Sequence, residues 1–212
     1  MTMNGPTLAR SQVDPTAAVG YASSRGEQRP LVIGPGARIR SGSVIYEASV
    51  IGASLQTGHN VVIREECEIG DDLSVWTNSV IDYGCTIGDR VKIHSNCYVA
   101  QFTELGDDVF LAPGVSIAND LYPGDSTSAA VMRGPRILAG AQIGAGTTIL
   151  PYVVIGAGAL VGAGSVVTRD IPAGMVAVGS PAVPTKPVSD LIPITHRVDE
   201  GSMAGPQEGT TS

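Results

Sequence analysis

The chain has 212 residues, 43% hydrophobic but only 16% charged, with 27 glycines and a formal net charge of -7. That acidic balance, with no basic cluster beyond Arg133 to Arg136, excludes phosphate-backbone binding, so no nucleic-acid partner is expected. No apolar run reaches the ~20 residues of a membrane span, and "MTMNGPTLARSQ" lacks the apolar core of a signal peptide, so no membrane partner is expected and the cytoplasm is the expected location.

Residues 1–12 read as a flexible N-terminus. "VDPTAAVGYA" then gives two degenerate hexads starting at Val13 and Val19, before "SSRGEQRP" interrupts. From Ile33 an aliphatic residue returns every sixth position, through Ile39, Ile45, Ile51, Ile63, Ile69, Val75, Ile81, Ile87, Ile93, Val99, Leu105, Leu111 and Ile117, with Thr57 the one departure. After a shift of two the column resumes as Ile137, Ile143, Ile149, Ile155, Val161 and Val167. Neither an amphipathic helix nor an alternating strand has this period; it marks a repeat architecture. Four residues after each aliphatic comes a small or apolar one, such as Ser43, Cys67, Ser79, Cys85, Val91 or Cys97. Gly, Asn and Asp crowd the position just before it: Gly36, Gly42, Asn60, Asp72, Asn78, Gly84, Asn96, Asp108, Gly114. Those residues tolerate positive φ, so they are expected at corners.

Residues eighteen apart should stack when three hexads make one coil. The corner column then reads Gly42, Asn60, Asn78, Asn96, Gly114, an asparagine ladder, and beside it run Gly58, Trp76, His94 and Ala112. The three cysteines fall in the small inward column and are expected to be buried thiols. With no CxxC spacing, no metal is expected. The register breaks once, at "ANDLYPGDSTSAAVMRGPR", too long for a corner and expected to be a functional loop. The coils after it are rich in Gly and Ala. A solenoid domain is expected over 13–186, with an external loop at 119–136, and a tail over 187–212 holding a short helix and then a disordered end. His196, in that tail, is expected to be incidental.

This pattern resembles the hexapeptide-repeat acyltransferases over residues 31–184, including the close "IPAGMVAVGSPAVP". The resemblance implies an all-β fold, a left-handed parallel β-helix of about seven regular three-hexad coils. "VKIHSNCYVAQFTELGDDVFLAPGVSIANDLYP" further resembles the branch that N-acetylates nucleotide-linked amino sugars, in which "ND..P" is matched by Asn119, Asp120 and Pro123. The implied activity is transfer of acetyl from acetyl-coenzyme A, a co-substrate, to an amino-sugar amine. Asn96 would lie beside thioester and amine, with His94 as a second catalytic candidate able to act as base. The coenzyme would lie over Gly144, Ala145, Gly162 and Ala163, with Arg169 and Lys186 meeting its phosphates. Asn119, Asp120 and Tyr122 would hold the acceptor. Arg133 or Arg136 would replace the arginine that the branch often carries after the loop proline, where this chain has Gly124.

Parallel prisms suggest a homotrimer. Asn96 stands on one corner and the loop leaves from the next, so three intersubunit sites are expected. O-acetylation of a sugar or natural-product hydroxyl and a non-catalytic scaffold are the alternatives. A zinc carbonic anhydrase on this fold would need three histidines, and only His59 and His94 lie inside the repeats.

Overall fold

Each hexad folds as a two-residue strand followed by a four-residue corner, as in Lys92–Ile93 and then His94 to Cys97. The computed structural model describes residues 8–26 and 29–191. The expectations for residues 1–7 and 192–212, His196 included, lie outside the described residues. Successive strands pass to successive faces of a three-sided prism, so each strand pairs in parallel with the one three further along the chain. The register is set by the eighteen-residue coil: Ser74 lies opposite Lys92, and Lys92 opposite Phe110.

We number the faces in chain order. The first begins at Gln12–Val13 and carries ten strands, the second begins at Ala18–Tyr21 with eight, and the third begins at Val32–Ile33 with seven. This is the left-handed parallel β-helix expected, with about eight turns where seven regular coils were read. The irregular first turn, whose strands Gln12–Val13 and Ala18–Tyr21 pair with the coil above, adds to the count.

The second residue of each regular strand points inward. Ile45, Ile63, Ile81, Ile93, Leu111 and Ile149 are completely buried, and Thr57 stays in the column at 2% exposure. Full burial of such an aliphatic is worth roughly 1.5–3 kcal/mol. The small inward column has a second use. Ser79 Oγ donates to the His94 carbonyl at 2.7 Å, and Cys67, Cys85 and Cys97 Sγ each reach the carbonyl fifteen residues on at 3.2 Å. Ser and Cys therefore satisfy corner carbonyls that would otherwise be buried without a partner. All three cysteines are buried and free, as expected.

Every corner glycine, asparagine and aspartate named from the sequence adopts positive φ. Corners also occur where no such residue stands, at Ala48, Glu66, Phe102 and Tyr152 among others. The long excursion leaves between the second and third faces, after Ser116–Ile117, and returns at Arg136–Ile137. Its base is closed by the Arg133 amide donating to the Asn119 carbonyl at 2.9 Å, and one helical turn, Ser128–Val131, is pinned by the Tyr152 hydroxyl on the Val131 carbonyl. Met175–Val178 extends the first face, and Val183–Pro187 folds back antiparallel on it. A 3-10 turn, Val188–Asp190, follows, and the rest of the segment expected to hold a short helix lies outside the described residues.

Candidate functional site

Two edges of the prism hold the residues of interest. On the edge between the first and second faces, Asn60, Asn78 and Asn96 form the expected ladder: Asn60 Nδ2 donates to Asn78 Oδ1 at 3.3 Å, and Asn78 Nδ2 to Asn96 Oδ1 at 3.4 Å. Gly114 follows in the column, so Asn96 Nδ2 has no further amide of the ladder to donate to, and Asn96 is exposed. One step back along the edge, His94 is half-buried, with its ring 4.9 Å from that of Phe110. Trp76, one rung below, is 37% exposed.

Phe110 and Ala112 begin a shallow groove of about 200 Å³ that continues over Gly144, Leu160, Gly162 and Ala163. His94, Ala112, Gly144 and Gly162 occupy one column, and strand spacing of ~4.8 Å puts Gly162 about 14 Å from His94 along the axis. Ala145 is exposed in the next column, beside Ala163. Gly144 also has a packing reason to be glycine, since a Cβ there would lie 2.4 Å from the Ala163 amide nitrogen. Lys186 pairs with Val176 above the groove, on the first face. Of the residues named from the sequence, Gly144, Gly162 and Ala163 line the groove; His94 and Asn96 stand one coil below Ala112 and Gly114, and Lys186 stands on the strand beyond Met175–Val178, outside the groove's lining.

Arg169 is not on that edge. It follows Val166–Val167 and lies on the edge between the second and third faces, as do the loop residues. Asn119, Asp120 and Tyr122 line a loop cavity of about 160 Å³ together with Asp125, Val131 and Tyr152. The two arginines expected in place of the branch's arginine lie beside Glu104, each about half-exposed: Arg136 Nε donates to Glu104 Oε2 at 2.7 Å, and Arg133 lies 3.9 Å from the same carboxylate. The groups lining the loop cavity include two carboxylates and no lysine or arginine.

Sequence reading missed a buried polar chain on this second edge. Glu65, 1% exposed, receives Arg64 Nε and Nη2 at 2.8 and 2.9 Å, with Arg25 at 3.7 Å. Burial alone would raise the Glu65 carboxyl, but the hydrogen bonds and charge of Arg64 outweigh it and hold the group below its ordinary value. Arg25 also stacks 4.0 Å over the Tyr83 ring, tying the "SSRGEQRP" interruption to the coils. Asp82, 6% exposed, accepts from the Tyr83 amide at 2.8 Å, from the Tyr98 hydroxyl at 2.7 Å and from Gln101 Nε2 at 2.7 Å, with Arg64 at 3.6 Å. Burial and the hydrogen bond to Asp82 push the Tyr98 phenol up, which keeps it a donor. The signal available in sequence was an acidic residue two positions after the inward aliphatic Ile63 and another directly after Ile81, on the edge that carries both interruptions.

The cysteines are buried inside the prism. A hydrogen bond with Cys67 and burial push the Cys85 thiol up, and burial raises Cys97, so neither is a ready thiolate. Among the described residues no group of three His, Cys, Asp or Glu could hold a metal ion. No helix is long and apolar enough to cross a membrane among the described residues.

A three-faced parallel β-helix of six-residue repeats defines the hexapeptide-repeat class. The family model described as Bacterial transferase hexapeptide (six repeats) matches residues 84–119 and 134–169, the coils on either side of the excursion. It is 58% identical over 43 residues, 20% of this chain and 22% of the relative, to a dTDP-3-amino-3,6-dideoxy-alpha-D-galactopyranose 3-N-acetyltransferase of Aneurinibacillus thermoaerophilus. It is 44% identical over 69 residues, 32% of this chain and 21% of the relative, to serine acetyltransferase 2 of Arabidopsis thaliana. The acetyltransferase domain of PglB from Neisseria gonorrhoeae superposes with a TM-score of 0.44 at 22% identity, covering 76% of this chain and 60% of that one. The chain spans less than half the length of each of these curated relatives.

Proposed function

We propose that this chain is a coenzyme-A-dependent acetyltransferase that acetylates the amine of an amino sugar, nucleotide-linked, at sites shared between the subunits of a homotrimer. The observation that carries the reading is the strip on the first edge. A donor amide at Asn96 and an imidazole at His94 stand at one end of a groove floored by small residues, with a lysine at the other end. Acetyl-coenzyme A laid in that groove would bring its thioester to Asn96, where the free Nδ2 can donate to the carbonyl oxygen as it gains negative charge. The acceptor nitrogen then attacks the carbonyl carbon, the C–N bond forms, and the C–S bond breaks. The proton leaves the nitrogen for the thiolate or for His94. Positioning carries much of such a reaction, because a neutral amine attacks without further activation.

The loop cavity and the strip lie on different edges, so one subunit cannot close both over one acceptor. Packing three prisms side by side brings a loop edge against a neighbour's strip, which supports the shared site and gives Arg169 a route to the groove next door. The amino-sugar choice is supported by the "ND..P" match and by the relative from Aneurinibacillus thermoaerophilus. Serine and galactoside O-acetyltransferases also match in part, and His94 on the strip would suit the base that a hydroxyl acceptor needs.

The test is mass spectrometry of products from acetyl-coenzyme A and a panel of nucleotide-linked amino sugars, each beside its hydroxyl analogue. A gain of one acetyl on the amines alone is expected; acetylation of the hydroxyl analogues alone would replace this reading with the O-acetyl one. Mixed trimers then test the sharing. Asn96→Ala chains combined with chains lacking 120–132 should regain activity that neither has alone, and confirmed heterotrimers as inactive as both parents would refute it.

A further inference from the structure

The geometry points to Asp82 as a positioning residue that, through Gln101, turns the Asn119 side-chain carbonyl into the loop cavity to receive a hydrogen-bond donor of the acceptor molecule. The argument is one of polarity. An ionised carboxylate only accepts, so Gln101 must present its NH2 to Asp82 Oδ2, which it does at 2.7 Å. The Gln101 carbonyl is thereby turned toward the next rung, where Asn119 Nδ2 donates to it at 2.6 Å. One N–H of Asn119 is committed to Gln101, so the amide is fixed with Oδ1 on its other side, and among the described residues that oxygen receives no hydrogen bond. Two amides that could each sit either way round are fixed by one buried charge.

The cavity that Asn119 lines agrees with this polarity. Asp120 and Asp125 add acceptors, while Tyr122 and Tyr152 add aromatic surface, which suits a hydroxylated ring bearing N–H or O–H groups and disfavours a phosphate. The inference deepens the proposed function by stating what the loop half of the site recognises, and its ligand side rests on that reading. The relay itself does not.

Asp82→Asn is an informative change because its outcome is forced. The Tyr83 amide and Arg64, which can only donate, hold the remaining oxygen at the Oδ1 position; the new NH2 then faces Gln101 and the Tyr98 hydroxyl, which rotates to accept from it. Gln101 must then flip, Asn119 must flip after it, and the cavity meets an NH2 where it had a carbonyl. Adding Gln101→Glu restores the original arrangement at unchanged net charge, since a carboxylate at 101 accepts from both neighbours.

Hydrogen exchange of the Asn119 Nδ2 protons, followed in protein labelled with 15N at asparagine side chains, reads the relay without any substrate. The protons should be protected in the native protein, exchange faster in Asp82→Asn, and be protected again in the double variant. Kinetics read the consequence: with the amino sugar acetylated in the product assay, Asp82→Asn should raise the acceptor KM about tenfold, the weight of one lost hydrogen bond, with the coenzyme KM unchanged and the double variant restored. Gln101→Met, which removes the relay without touching Arg64, serves if Asp82→Asn fails to fold; it should expose the same protons and raise the same KM. Exchange that ignores these changes overturns the relay, and inverted exchange with an unchanged acceptor KM overturns its role in recognition. If no amino sugar is acetylated while the exchange pattern holds, the acetyl-transfer reading fails and the relay stands.

Discussion

The edge that carries the asparagine ladder and the edge that carries the long excursion are built on opposite principles. On the edge between the first and second faces, the corner residues at positive φ are Gly42, Asn60, Asn78, Asn96, Gly114, Gly146 and Gly164, all residues that accept the left-handed region. On the edge between the second and third faces, the same positions hold Ala48, Glu66, Gly84, Phe102 and Tyr152, and for ordinary residues that conformation costs about 1 kcal/mol or more each. The first edge is relaxed and regular, and it presents a straight groove. The second is strained, carries both departures from the repeat, and is braced by buried charges and by the Tyr83–Phe102 edge-to-face pair at 5.3 Å. The two amide chains differ in the same sense. The asparagine ladder, at 3.3 and 3.4 Å, has no charged anchor, whereas the relay from Asp82 runs at 2.7 and 2.6 Å, with a carboxylate at its root.

If bracing holds the second edge together, cutting it should do the most damage. Glu65→Ala, which leaves Arg64 without its buried partner, should cost on the order of 3 kcal/mol in denaturant unfolding, and a loss under about 1 kcal/mol would mean that the brace is dispensable. The same pair sets an acid limit. A carboxyl whose folded-state pKa is lowered contributes its full stability above its unfolded pKa and loses it as the pH falls through the folded value. Unfolding free energy should therefore drop below about pH 4, and Glu65→Gln should flatten that part of the profile.

Backbone strain separates the edges at a smaller scale. At Gly146 a Cβ would meet nothing within 4 Å, so Gly146→Ala isolates the conformational cost and should destabilise by about 1 kcal/mol. Ala48→Gly on the other edge runs the reverse way. Relief of strain there is offset by the added freedom of the unfolded chain, so a net change within about 0.5 kcal/mol is expected. Equal and large losses at both sites would show that the edges do not differ in strain. Least affected should be a chain with Cys67, Cys85 and Cys97 all changed to Ser. Ser43, Ser49 and Ser79 already make the same bond to a carbonyl fifteen residues on, so the melting temperature should move by only a few degrees and catalysis should be unchanged.

Much of the first edge was legible because its logic is periodic. Counting by eighteen places Asn60, Asn78 and Asn96 in one column and His94 in line with Ala112, whereas Gly144 joins that column only through the pairing of Leu111 with Ile143 across the excursion. The second edge resisted the same count. Gln101 and Asn119 are eighteen apart and stack, but Asp82 reaches Gln101 across nineteen residues, a diagonal contact that no column displays. Arg133 and Arg136 looked free in sequence because their partner, Glu104, sits 32 residues from Arg136 on the coil below. The corners at Phe102 and Tyr152 could not be identified from residue type, since tertiary bracing there overrides local preference.

The long excursion returns Ile137 opposite Leu105 as though no chain intervened. Its re-entry is fixed by the coil beneath it, so the prism counts rungs and is indifferent to how many residues are spent between them. The excursion is therefore a replaceable cassette. A segment of different length and chemistry, spliced between 118 and 135, could retune what the molecule recognises while the scaffold folds as before.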